Sequence, residues 1–296
     1  MVLPIARRIL APPVRTPLPY GLLSVVQMPD EADVHWRMGF RYEVDTCQRA
    51  SIITESCAAT GGLQKFETEG MTVRGTSPFA VYTLPICSPI GYLQEAETRA
   101  VAALTSGEGR AVEREFWSGT FGTTPHLAAN VAVTGSDGVL EQSAATVIVT
   151  GGLDVVEGFA RIEETLGDCY GNEGVIHMGP AVFNQAVSQN LIRYDGPRLR
   201  SPSGHLVAVG AGYPNTGPDG TAAASGFRWV YATGAVKALR SEIQVTRSTD
   251  RDVINRAKND IVLVAERVYT FGWDCCHLAQ QISIGGIVAG TSLSST

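Results

Sequence analysis

Lysine is scarce in this chain: only Lys65, Lys237 and Lys258 are lysine among 23 basic residues. The arginine excess reads as a host composition bias and not as chemistry. Positive charge is short overall, since 29 acidic residues leave a formal net charge of −6. High-affinity nucleic-acid binding needs dense phosphate neutralisation, so that class is disfavoured. No apolar run approaches about 18 residues, which argues against a membrane-spanning helix. The opening segment is not a secretion signal, because its short apolar run after Arg7-Arg8 is broken by Pro12 and Pro13. Synthesis and assembly in a cytoplasm are therefore expected. The six cysteines (Cys47, Cys57, Cys87, Cys169, Cys275, Cys276) form no CxxC pair. In a chain with no export signal, buried free thiols are the expected state. There is no GxSxG elbow, no HExxH and no phosphate-binding GxxxxGK[ST] loop. No repeat is visible at solenoid or propeller periods.

What is present is a globular composition, with 44% hydrophobic and 18% charged residues. Glycine (32) and proline (15) are frequent enough to predict many turns. Residues 1–38 read as an extended arm, because Pro4, Pro12, Pro13, Pro17 and Pro19 forbid a long helix. The arm carries Arg7, Arg8 and Arg15 with no acid through residue 29. It buries little against itself and must lie on another surface. Residues 39–90 read as a long β excursion: strands near 40–44, 72–74 and 79–84 flank a polar, glycine-bounded tip at 61–70. Residues 92–117 are the longest helical candidate, with Leu93, Ala96, Ala100, Leu104 and Ala111 near one face. Gly107 and Gly109 are expected to bend or split it.

Mixed α/β structure follows. Asp154 is placed to cap a helix with the stripe Val155, Phe159, Ile162 and Leu166, closed by Gly167. A strand at 175–178, a helix opened by Pro180 and a buried-type strand at 206–209 come next. Further strands are predicted at 227–231, 235–239, 242–246, 260–269 and 277–284.

Three clusters invite a chemical reading. Gly210-Ala211-Gly212 follows a strand, but no helix opens after it, so it forms no anion site. Cys275-Cys276-His277 would need Cys169 or His177 to make a metal site, and neighbours on a strand point to opposite faces. Core packing of the thiols is the favoured reading. Asp154, Glu157, Glu163, Glu164 and Asp168 crowd one helix, which is normally a solvated face. No catalytic, cofactor or metal residue is assigned.

The order of parts is what speaks, together with particular stretches. Gly107-Glu108-Gly109-Arg110-Ala111-Val112-Glu113-Arg114-Glu115-Phe116-Trp117-Ser118-Gly119 resembles the end of a spine helix and its following turn. Val175-Ile176-His177-Met178-Gly179-Pro180, Leu199-Arg200-Ser201-Pro202-Ser203-Gly204-His205-Leu206-Val207, and Glu266-Arg267-Val268-Tyr269 with Trp273-Asp274 complete the likeness. The chain resembles the Hong Kong 97-type capsid proteins of tailed bacteriophages, a fold shared with encapsulins. The likeness extends to coat proteins of actinobacterial phages.

That resemblance implies an α+β fold: an N-terminal arm (1–38), an extended loop (39–90), a spine helix with peripheral-domain structure (91–150), an axial domain (151–246), and peripheral return strands with a C-terminal tail (247–296). It implies a non-enzymatic major capsid protein, without cofactors, that self-assembles into hexamers and pentamers of an icosahedral head around double-stranded DNA. The implied partners are other copies, a separate scaffolding protein, a portal, a decoration protein in some members, and packaged DNA touched non-specifically, with no membrane. The scaffold is separate because the arm starts almost at Met1. The implied location is the virion, assembled in the bacterial cytoplasm. Candidate assembly contacts are Arg7, Arg8, Arg15, Lys65, Phe66, Phe79 and Tyr82. Some family members crosslink through a loop lysine; Lys65 fits that role, but no partner asparagine is matched, and an ordinary solvated lysine is favoured. The competing readings are an encapsulin shell, a tail or connector protein, and an enzyme using Cys276 or His277.

Overall fold

Apolar runs without alternation dictate strands buried on both faces, and the structure is built around them. A computed structural model describes residues 15–29, 34–44, 72–83, 86–89, 93–246, 254–255 and 260–285. In chain order these form β1 (Arg41–Val44), β2 (Thr72–Gly75), β3 (Phe79–Tyr82), β4 (Ile86–Pro89), α1 (Leu93–Ser118), β5 (Val133–Thr134), β6 (Leu140–Gln142) and β7 (Thr146–Leu153). Then come α2 (Val155–Cys169), β8 (Val175–Met178), α3 (Pro180–Ser188), β9 (Arg193–Asp195), β10 (Arg198–Arg200), β11 (Leu206–Val209) and β12 (Phe227–Thr233). The chain closes with β13 (Val236–Arg240), β14 (Gln244–Val245), β15 (Ile254–Asn255), β16 (Asp260–Leu263), β17 (Ala265–Trp273) and β18 (His277–Ser283).

A seven-stranded mixed sheet has the order β7-β18-β12-β8-β11-β10-β9. Its strands face two cores, which explains their continuous apolar character. On β8, Val175 joins one core and Ile176 and Met178 the other; on β12, Tyr231 opposes Val230 and Ala232. The amphipathic stripes of α2 and α3 cover one face, through Phe159, Ile162, Leu166, Val182 and Ala186. The end of α1 covers the other, through Phe116 and Trp117. Asp154 caps α2 as expected, accepting from the N–H groups of Val156 (2.8 Å) and Glu157 (3.0 Å).

A second sheet joins β13, β17 and β14, with β3 on the free stretch of β17. Its aromatics stack in a row: Phe79 lies 6.1 Å from Tyr269 and 6.0 Å from Phe271. The two sheets exchange strands. β12 runs into β13 and β17 into β18, so 236–240 pairs with the return strands and 277–283 lies in the sheet of 151–246.

Several expectations are refined. α1 is one continuous helix through Gly107 and Gly109, and nothing lies within 4 Å of a Cβ built at either position. The buried stripe runs through Val112; Ala111 is exposed. α2 passes Gly167 and ends at Cys169. The predicted strand at 260–269 is two strands, broken at Val264. The base of the β excursion is an antiparallel ribbon, Arg41 opposite Gly75 and Val44 opposite Thr72, while its predicted tip lies outside the described residues. β3 and β4 pair elsewhere, with β17 and β16.

The arm is part of the core from Tyr20 to Gln27. The Tyr20 carbonyl accepts from Val209 N–H at 2.8 Å. Gln27 exchanges bonds with Val236 and Ala238, both at 2.9 Å. Leu22 and Val25 between them are buried.

Candidate assembly surface

α1 organises the chemistry of this subunit. Three of its carboxylates are buried, and each has an assigned set of donors. Glu108 takes Arg267 Nη1 at 3.0 and 3.1 Å, with side chains only 7% and 14% exposed. Glu113 accepts from Leu22 N–H at 3.2 Å and Gly212 N–H at 2.9 Å, tying the arm and the 210–213 loop to the helix. Burial pushes the Glu113 carboxyl up, and the backbone N–H groups oppose that push. Glu115 accepts from Phe121 N–H at 2.9 Å and Thr123 Oγ1 at 2.8 Å.

The Gly210-Ala211-Gly212 stretch thus serves packing. A side chain at Gly212 would collide with the Arg110 carbonyl of α1, and one at Gly210 with the Tyr213 ring.

His177 and His277 are core residues. His177 lies within reach of Thr233 Oγ1 (3.1 Å) and Tyr213 Oη (3.3 Å), with Phe116 against its ring. His277 touches the carbonyls of Leu127 (2.8 Å) and Ser143 (3.0 Å). Burial holds both rings well below the ordinary histidine value, at about 3 and about 4. Such rings stay neutral where a general base would titrate.

The expectation of free thiols is overturned for three of the cysteines. Cys169 and Cys276 form a disulfide, with Cα atoms 5.9 Å apart, and Cys275 is disulfide-bonded as well. Cys276 and His277 face different partners, as strand alternation predicts, although Cys275 and Cys276 themselves lie in the crossing before β18. Cys276 has φ 69°, a left-handed conformation that directs it toward α2. While that bond is closed, Cys276 offers no free thiol. Among the described residues no cluster of three or more His, Cys, Asp or Glu is placed to hold a metal ion. Among them, too, no helix is long and apolar enough to cross a membrane.

An exposed surface with contact character runs along the outer side of α1. A groove of about 480 Å³ lies between β3 and α1, with Tyr82 and Phe121 at its margins. Tyr82 is 65% exposed and Phe121 85%, large apolar rings that the subunit leaves in water. Arg110 and Arg114, one helical turn apart on α1, add positive charge. Of the candidates from sequence, Tyr82 falls here. Phe79 points inward from the same strand and belongs to the subunit's own core. Arg15 is exposed on the arm. Arg7, Arg8, Lys65 and Phe66 lie outside the described residues. The sequence reading missed Phe121, which lies between Gly119 and Gly122 in an irregular turn and carries no periodic signal.

No protein-family model matches the chain, and no curated protein matches it. Solved structures do. One, titled the capsid of an empty GTA particle, aligns over 95% of both chains at 13% identity and a TM-score of 0.58. The fold is that of a phage-type capsid subunit. A structure from Microbacterium phage Oxtober96 covers 96% of both chains at 12% identity and a TM-score of 0.53. One from Mycobacterium phage Bobi covers 96% of this chain and 95% of its own at 13% identity, with a TM-score of 0.52. The likeness is one of fold over nearly the whole chain.

Proposed function

We propose that this chain is the major capsid protein of a tailed bacteriophage, a structural protein whose copies join as hexamers and pentamers into an icosahedral head around double-stranded DNA. The observation that carries the reading is the capsid-subunit fold matched over 95% of the chain. The anatomy supports it. An arm laid between two sheets and a β ribbon formed by residues 41–44 and 72–75 suit a subunit whose neighbours complete its burial. The net charge of −6 suits a container that holds DNA without binding it tightly. In this reading the chain acts in the virion, after assembly in the host cytoplasm with a scaffolding protein and a portal. A decoration protein and non-specific DNA contacts fit the same scheme.

Tyr82, Phe121 and Arg15 are the described residues assigned to contacts between copies, with Arg7, Arg8, Lys65 and Phe66 beside them. Aromatic anchors at the centre of an interface are worth ~2 kcal/mol or more, roughly 30-fold per contact. The double variant Tyr82→Arg, Phe121→Arg is expected to keep its circular dichroism spectrum and lose assembly, as read by light scattering. Undiminished particles from that variant would remove these residues from the interface.

A further inference from the structure

The joint between the two sheets is a narrow ribbon. β12 crosses to β13 through Gly234-Ala235, and β17 crosses to β18 through Asp274-Cys275-Cys276. The two crossings hydrogen-bond to each other, Gly234 N–H to the Cys275 carbonyl at 2.9 Å and Asp274 N–H to the Ala235 carbonyl at 3.0 Å. Gly234 is required there, since a side chain would meet the Cys275 carbonyl at 2.5 Å. Two connections of two and three residues are a natural place for one sheet to rotate against the other.

The C-terminal end of α2 is fastened to this ribbon. Cys169 bonds Cys276 within the crossing, and Tyr170 hydrogen-bonds to the Ala235 backbone and the Asp274 side chain. Tyr42 Oη donates to the Trp273 carbonyl at 2.9 Å. Of these ties, the Cys169–Cys276 bond alone is covalent and breaks by reduction.

We propose that Cys169 and Cys276 form a thiol–disulfide lock on the inter-sheet joint, open in reducing surroundings and closed in oxidising ones. The proposal concerns the subunit itself and stands apart from the shell reading. A low-molecular-weight disulfide is the oxidant. The half-buried Cys169, as thiolate, attacks one oxidant sulfur, which breaks the oxidant's S–S bond and releases one small thiol. The buried Cys276, as thiolate, then attacks the Cys169 sulfur and displaces the second small thiol. Two protein thiols are oxidised, one small disulfide is reduced to two thiols, and the two protons lost from the cysteines end on those thiols. In the reduced state the joint retains its hydrogen bonds and loses its covalent tether to α2.

The test uses the full chain, reduced and then treated with oxidised glutathione, quenched with an alkylating agent and mapped by mass spectrometry. A linked Cys169–Cys276 peptide is expected only after oxidation. Closing a loop of 107 residues is expected to raise the melting temperature by roughly 10 °C. Amide exchange at Gly234 and Asp274 is expected to be faster in the reduced protein. Because Cys275 has its own disulfide, Cys169→Ala is the control. It removes the lock and leaves the Cys275 bond, so its thermal shift on oxidation should be smaller by roughly 10 °C. Separately alkylated Cys169 and Cys276 after oxidation would overturn the proposal. So would an equal thermal shift in Cys169→Ala, or exchange at the joint that ignores redox state.

Discussion

The helices α1 and α2 are both long and both lie against sheets, yet they are held in opposite ways. α2 presents Val155, Phe159, Ile162 and Leu166 inward and its acids outward, and its Arg161–Glu164 pair sits half to two-thirds exposed. Its apolar stripe packs on one sheet, and none of its acids is buried there. α1 buries Glu108, Glu113 and Glu115 beside Val112, Phe116 and Trp117. Each carboxylate receives a different part of the chain: the return strand β17, the arm with the 210–213 loop, and the turn that follows the helix. The contrast shows that a helix serving one layer is apolar where it is buried. A helix serving as a junction carries buried charge at the places where separate segments must be brought into register.

The largest expected effect comes from the junction. Arg267→Ala leaves Glu108 buried without its cation and is expected to destabilise the subunit by ~3–5 kcal/mol in chemical denaturation. The matching change on α2, Glu164→Ala, removes an exposed pair and is expected to cost ~0.5 kcal/mol or less. Equal costs would break the distinction between the two helices.

Acid sharpens the same contrast, because the core beneath α1 contains His177 and His277. Their folded values, about 3 and about 4, lie below the ordinary 6.5, so the unfolded chain binds their protons first. Stability is therefore full above pH 6.5 and falls as pH drops toward those values, by up to ~1.4 kcal/mol per pH unit for each histidine. Glu113 acts with the opposite sign. Its raised value means that the folded state takes up a proton before the unfolded chain does, so its contribution favours stability on acidification. Denaturation midpoints measured from pH 7 to pH 4.5 should show a net fall, since His177 and His277, joined by the burial-lowered His126 and His205, oppose one carboxyl. A flat or rising profile would contradict the burial of both rings.

The smallest effect tests the two glycines in α1. Gly107 is exposed, helical and has open space around its Cβ direction. Gly107→Ala should stabilise the subunit by ~0.5–1 kcal/mol through helix propensity alone. A loss of stability would show that α1 needs to yield at this point.

Much of the fold was legible because its elements obey local rules. The cap at Asp154, the stripe of α2, Pro180 at the start of α3 and the apolar runs of β8 and β11 each carry their own signal. The junction was less legible. Glu108 sits four residues after Leu104 and four before Val112, inside the apolar stripe, and a charge there is a readable sign of a buried partner. Nothing local names Arg267 as that partner, since the pair spans 159 residues. The disulfide was hidden for a related reason. The free-thiol expectation rested on the missing export signal, and the Cys169–Cys276 pair spans 107 residues with nothing local to name it. Phe79 and Tyr82 were read alike from sequence. Their alternation on β3 separates them, one into the core and one into water.

The most direct test of the central claim is negative-stain electron microscopy of the purified protein, sized first by light scattering, with and without the proposed scaffolding protein. The account predicts closed shells, or rings of five and six subunits. A monodisperse monomer or dimer under both conditions would contradict it.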